Sequence, residues 1–261
     1  MMKKNNEFYI GYADKVGQGT KKAVKRFVVV VITLLVLGAF SFSFFQESAV
    51  NSSFDFGDPT KVSGIYHESP YPMLRVALAE NEFKEIVLLG FGKSGANPFL
   101  DQIREKEGNL SGKELTIEGQ LIYYNGKTLL EIDDSQKIQI SGKGSVTNSK
   151  NMRHISITGE IIDPKCYFGV MKPGYGKIHR SCAALCISGG IPPVLVSKDQ
   201  NGTETYFLLT DLKGNPIHKD IVPYIGQPCK LSGEVKMIGD WNILQVDVSQ
   251  IEKLDIESSI Y

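Results

Sequence analysis

Two stretches decide the fold: GKELTIEGQLIY at residues 112–123 and GQPCKLSGEVKM at residues 226–237. They align without a gap at a constant offset of 114. Gly112 matches Gly226, Ile117 matches Leu231, Gly119 matches Gly233 and Leu121 matches Val235. Both alternate apolar and polar residues, the period of a half-buried strand. Each then meets a turn, Asn125-Gly126 or Gly239-Asp240, and the alternation resumes at Leu129, Leu130 and Ile132 or Ile243, Leu244 and Val246. That pattern reads as a hairpin. Asp133 and Asp247 recur at the same offset and are read as fold residues.

The correspondence extends toward the N-terminus. Val62-Ser63-Gly64-Ile65 resembles Ile157-Thr158-Gly159-Glu160, a strand interrupted by a glycine that suits a bulge or bend. Residues 85–90 (EIVLLG) and 205–210 (TYFLLT) supply a third apolar strand in each copy. Each is followed by Asn-Pro, with Asn97 or Asn215 expected as helix N-cap. Three strands, a helix and two strands predict a small five-stranded barrel of the OB type, twice over. A pair of small β-sandwiches is the alternative.

Ahead of the copies stands FVVVVITLLVLGAFSFSFF, residues 27–45, without a charge. Nineteen helical residues reach about 28 Å, close to the ~30 Å of a bilayer core. A cleaved signal peptide has a shorter apolar core and small residues at the cut. This stretch ends in Phe44 and Phe45, so an uncleaved anchor is expected. Net charge is zero, yet residues 1–26 hold seven Lys or Arg against Glu7 and Asp14. The positive-inside rule then puts the N-terminus in the cytoplasm and the rest outside, in the periplasm of a bacterium with two membranes. The expected organisation is a tail at 1–26, a span at 27–46, a linker at 47–60 and barrels at 61–142 and 153–256. Fold class is therefore mainly β, with an N-terminal transmembrane helix and two tandem OB-like barrels. The aromatic run Glu7–Tyr12 of the tail is read as interfacial.

Only the second copy carries an insertion. Gly64 to Gly119 spans 55 residues and Gly159 to Gly233 spans 74. The surplus falls at 164–193 and holds Cys166, His179, Cys182 and Cys186. Residues 178–187 lack Gly and Pro and are followed by Gly189-Gly190, a helix with a stop. His179, Cys182 and Cys186 then share one face at i, i+3 and i+7. The Gly-rich loop 172–177 can return Cys166 to that face. Three thiolates and an imidazole suit zinc or Cu(I). An axial haem ligand and a disulfide from Cys166 to Cys182 or Cys186 stay open as alternatives. Cys229 aligns with Leu115 and is read as core, and Met171 as packing. His67 and His154 are read as strand-edge residues without partners, and His218 as a surface helix residue.

Residues 159–166 (GEIIDPKC) and 179–193 (HRSCAALCISGGIPP) resemble a segment of uncharacterised bacterial envelope proteins with the pattern G-x-[IV]-x-D-x-x-C, a His, then C-A-x-x-C and G-G. The resemblance implies that Cys166, His179, Cys182 and Cys186 belong together and that Cys229 stands apart. An anchor followed by an extracytoplasmic OB barrel also resembles the haem chaperone of cytochrome c maturation, whose H-x-x-x-Y motif is not at the matching place. Three functions are expected in turn. The first is an accessory or assembly subunit of a membrane-associated redox or metal-handling system, with a protein partner in the membrane or periplasm. The second is a metal- or haem-binding redox protein. The third is an oligosaccharide or oligonucleotide module, with Tyr123 and Tyr124 offered to a sugar. Nucleic acid is not expected as a partner, because the exterior carries a net negative charge.

Overall fold

A computed structural model describes residues 16–45, 51–80, 82–144 and 150–255. The run Glu7–Tyr12 lies outside the described residues, as does 145–149 of the link between barrels. The chain divides into two compact units, Met1–Ala49 and Val50–Tyr261. The first contains α1, Gln18–Phe45, a helix of 28 residues with none buried. It is long and apolar enough to cross a membrane, as an anchor or a signal sequence would.

The second unit holds two closed barrels. The first is built from β1 (Ser52–Phe54), β2 (Thr60–His67), β3 (Met73–Ala79), β4 (Glu82–Gly90), α2 (Asn97–Glu107), β5 (Lys113–Tyr124), β6 (Lys127–Ile132) and β7 (Ile138–Lys143). Strand β2 pairs with β3 and β5, β3 with β4, β4 with β6 in parallel, and β6 with β5, which closes a ring of five. The second barrel uses β8 (Lys150–Ile162), α3 (Gly176–Ser188), β9 (Val194–Lys198), β10 (Glu204–Thr210), β11 (Pro228–Ile238), β12 (Trp241–Val246) and β13 (Glu252–Lys253). Strands β8 to β12 close the same ring, again with one parallel pair, β10 with β12. The molecule is mainly β, as expected, with OB-like strand order in both barrels.

Matched glycines sit at matched strand crossings. A Cβ on Gly64 would lie 2.6 Å from the Arg75 carbonyl oxygen, and one on Gly159 would lie 2.3 Å from that of Val196. Gly119 faces the Glu131 oxygen at 2.4 Å and Gly233 the Gln245 oxygen at 2.0 Å. A side chain at any of these positions would force the crossing strands apart.

Several local expectations are corrected. Residues 52–54, read as linker, form β1 on β5, because Phe54 packs into a buried cluster. Asn97 lies inside α2, whose N-cap is Ala96 without a side-chain bond. Asn215 opens no helix. Its backbone N–H and its side-chain amide both donate to the Asp211 carboxylate in a turn, and a single 3₁₀ turn follows at Val222–Tyr224. Asp247 caps a 3₁₀ turn through Ser249 N–H, but in the first barrel Asp134 does this, one residue past the match. Asp133 pairs with Lys137 instead.

The barrels are not beads on a link. Each has its own interior, around Leu88, Leu115 and Leu130 in the first and Leu209, Leu231 and Leu244 in the second. A third cluster joins them: Met73, Val87, Leu89 and Leu129 from the first, and Val196, Tyr206, Leu208 and Trp241 from the second. Strands β4 and β10 are therefore buried on both faces, which explains their continuous apolar runs. The contacts are reciprocal. Asn125, in the β5–β6 turn, donates to the Tyr206 hydroxyl at 3.0 Å. Asp240, in the β11–β12 turn, accepts from Lys84 Nζ at 2.9 Å and from the Glu85 N–H at 3.0 Å. Tyr71, after β2, donates to the Leu209 carbonyl at 2.5 Å, and Lys165, after β8, donates to the Gly90 carbonyl at 3.0 Å.

The Tyr71 hydroxyl also accepts from Ile217 N–H at 3.2 Å. Tyr71→Phe is expected to leave two buried backbone groups unpaired and to cost about 1–3 kcal/mol. Urea unfolding of the two proteins measures it, and an unchanged midpoint would refute the role.

The face that OB barrels offer to oligomers comprises the second and third strands with the adjoining loops. In both barrels part of that face packs on the other barrel, through Met73, Val87 and Leu89 of the first and Val196, Tyr206 and Leu208 of the second. Tyr124, offered above to a sugar, is buried and stacks on Phe168 at 5.3 Å with rings 4° apart. His67 is corrected too. It is buried, with Nε2 2.7 Å from Glu85, whose other oxygen meets Arg75 Nε at 2.5 Å. Burial pushes the Glu85 carboxyl up, but the hydrogen bonds and charges of His67 and Arg75 outweigh it and hold it below the ordinary value.

Candidate metal centre

The insertion leaves β8 at Asp163 and makes one π-helical turn, Cys166–Val170. It then doubles back. A Cβ on Gly174 would lie 2.4 Å from the Tyr167 Cα and 3.0 Å from the Cys166 carbonyl carbon, so only glycine lets the loop pass. Gly176 takes φ +74°, and its N–H donates to the buried Glu160 carboxylate as α3 begins. Helix α3 buries His179, Ala183, Cys186 and Ile187 and exposes Ile178 and Leu185. It ends at Gly189, where a side chain would strike the Lys93 carbonyl at 1.9 Å. The Gly95 N–H donates to the Gly189 carbonyl at 2.9 Å, so the insertion is sewn to the first barrel.

This geometry brings Cys166 to the stripe on α3. The Cys166 and Cys182 sulfurs and a ring nitrogen of His179 lie within 4.8 Å of one another. So do a carboxylate oxygen of Asp163 and the sulfurs of Cys166 and Cys186. The four expected ligands thus divide between two triads that share Cys166. Asp163 is the addition. It stands three residues before Cys166 in the D-x-x-C pattern, a signal that could have found it.

Burial is deep. Asp163 is 0% exposed, Cys186 2%, His179 3% and Cys166 5%. Cys182 is partly exposed. All four cysteines are free thiols. Cys229 lies apart, fully buried in the second barrel's interior, where burial pushes its thiol up to about 11. Met171 is exposed rather than packed. His218 follows no helix and is partly buried, its ring 5.9 Å from that of Tyr71.

Two polar atoms in the cluster are buried without a hydrogen-bond partner: His179 Nε2 and Asp163 Oδ2. The other Asp163 oxygen accepts from the Lys165 N–H at 2.9 Å. Such orphans are rare and costly unless something binds them. Hydrogen bonding to Cys186, then burial, then the Asp163 carboxylate hold the Cys166 thiol far above its ordinary value. Burial raises Cys182 as well and lowers His179, keeping the imidazole neutral. The Cys166 and Cys182 thiols and the His179 ring are thus held toward their neutral forms, and a metal ion would displace the two thiol protons.

No protein-family model matches the chain, and no curated protein matches it. Sulfur, nitrogen and carboxylate donors at this spacing suit a small thiophilic ion. A narrow gap beside His179 is lined by Glu160, Ile161, Tyr175 and Arg180.

Proposed function

We propose that this protein is a single-span envelope protein that holds a thiophilic metal, zinc by ligand preference, where its two barrels join. It serves as an accessory or assembly subunit of a membrane-associated redox or metal-handling system. The observation that carries the reading is the pair of ligand triads on Cys166, with His179 Nε2 and Asp163 Oδ2 buried and unpaired. Metal would lock the insertion, and through it the barrel junction. The basic flank of α1 supports a cytoplasmic N-terminus and barrels outside the inner membrane. A bound ion would also shield the thiols from oxidation there.

The test uses the full chain in detergent with reductant. Zinc is expected to bind tightly, with affinity rising as pH rises. Cys166 and Cys182, whose pKa values are raised, each carry a proton that the metal must expel, so each contributes up to about tenfold per pH unit. Competition against a chromophoric chelator from pH 6 to 8 measures the slope. A chain that takes up no metal across that range, while all three thiols react freely with an alkylating agent, removes the proposal. Protease added to spheroplasts should cleave beyond residue 50 and spare the tail.

A further inference from the structure

Four donors surround the Cys166 sulfur, and they group with it as two triads rather than one ring. Cys166 alone belongs to both. Each triad includes one residue with a buried polar atom that lacks a partner, His179 with Nε2 in the first and Asp163 with Oδ2 in the second.

Charge points the same way. When all five donors bind metal, three thiolates and a carboxylate carry four negative charges and the imidazole none. Lys165 does not offset them, since its ammonium is 2.5 Å from Glu131 and bonded to the Gly90 and Gly92 carbonyls. Two divalent ions make the centre neutral.

We propose that the centre is binuclear, with the Cys166 thiolate bridging two divalent ions of the zinc type. His179 and Cys182 complete the protein ligands of one, and Asp163 and Cys186 those of the other. Loading releases three thiol protons to solvent. Each ion keeps one position beyond its protein ligands, and the partly exposed Cys182 makes the first ion the one that solvent can reach.

This inference rests on the metal-binding reading, and stoichiometry separates the two. The full chain in detergent, stripped and reduced, is titrated with zinc and then with cobalt(II). The expected result is two ions per chain. Asp163→Asn keeps the acceptor for the Lys165 N–H, and His179→Phe keeps the bulk of the ring, so both should fold. Each should retain one ion. The cobalt paramagnetic signal should rise with the first equivalent and fall with the second, as a bridging thiolate couples the two spins. A single ion per chain, lost in either variant, overturns the binuclear centre and leaves the metal-binding reading standing. Two ions without spin coupling overturn the bridge. No ion in any protein overturns both.

Discussion

Cys166→Ser is expected to abolish metal binding completely, while Cys229→Ser leaves it unchanged. The contrast follows from position alone. Cys166 is the one donor common to both triads, so its loss breaks each of them. Cys229 is fully buried, but it lies in the interior of the second barrel with Leu231 and Val235. Metal content of the purified full-length proteins measures the first effect. Thermal unfolding with and without zinc measures the second. Free zinc at a thousandfold excess over its dissociation constant stabilises a binding-competent fold by about 4 kcal/mol. Wild type and Cys229→Ser should gain that much, and Cys166→Ser nothing. Cys166→Ser with wild-type metal content would remove Cys166 from the centre.

Lys165→Ala should be the most destabilising single change outside the metal ligands, at about 3–5 kcal/mol. The ammonium bridges the insertion to the first barrel, with Glu131 at 2.5 Å and the Gly92 carbonyl at 2.8 Å. Lys165 and Glu131 are each 4% exposed. Truncating the lysine strands a buried carboxylate and two carbonyls against the shared core. Lys165→Met with Glu131→Leu should recover most of the loss, because both charges leave together. Lys61→Ala is the control. Its partner Glu118 is 3.7 Å away in a solvated pair, worth about 0–1 kcal/mol. Urea midpoints measure all four proteins, and a second transition in Lys165→Ala would report barrels that unfold separately. A midpoint no lower than that of Lys61→Ala would show that the bridge holds nothing.

The insertion itself reads differently once folded. The second copy has 19 extra residues that its barrel does not need for closure, which suggested a function apart from folding. In the structure those residues join the barrels. Cys166, Tyr167, Phe168, Cys186 and Ile191 all belong to the core shared with the first barrel. Site and junction are the same object, so occupancy of the centre and association of the barrels should rise and fall together.

Several features were legible in the residues. The alternation around Gly119 and Gly233 specified strands, because one face of each is buried in a barrel interior. The gap-free offset specified two similar barrels. The i, i+3, i+7 spacing put His179, Cys182 and Cys186 on one helix face, because helical geometry is local. The uncharged run at 27–45 specified a helix able to span a bilayer. Other features were decided only by tertiary contact. Asp163 lies near Cys166 by local spacing, but only the fold-back over Gly174 brings the pair to Cys186 on α3, a long-range event that spacing does not encode. His67 found Glu85 and Arg75 across neighbouring strands, where sequence separation hides the pairing. Tyr124 changed from a candidate sugar platform to a buried ring because the second barrel covers it. The apolar runs at 85–90 and 205–210 carried the hint, since a strand wet on one face would alternate. Local pattern gave each element its type, but which faces meet depends on surfaces brought together from distant parts of the chain.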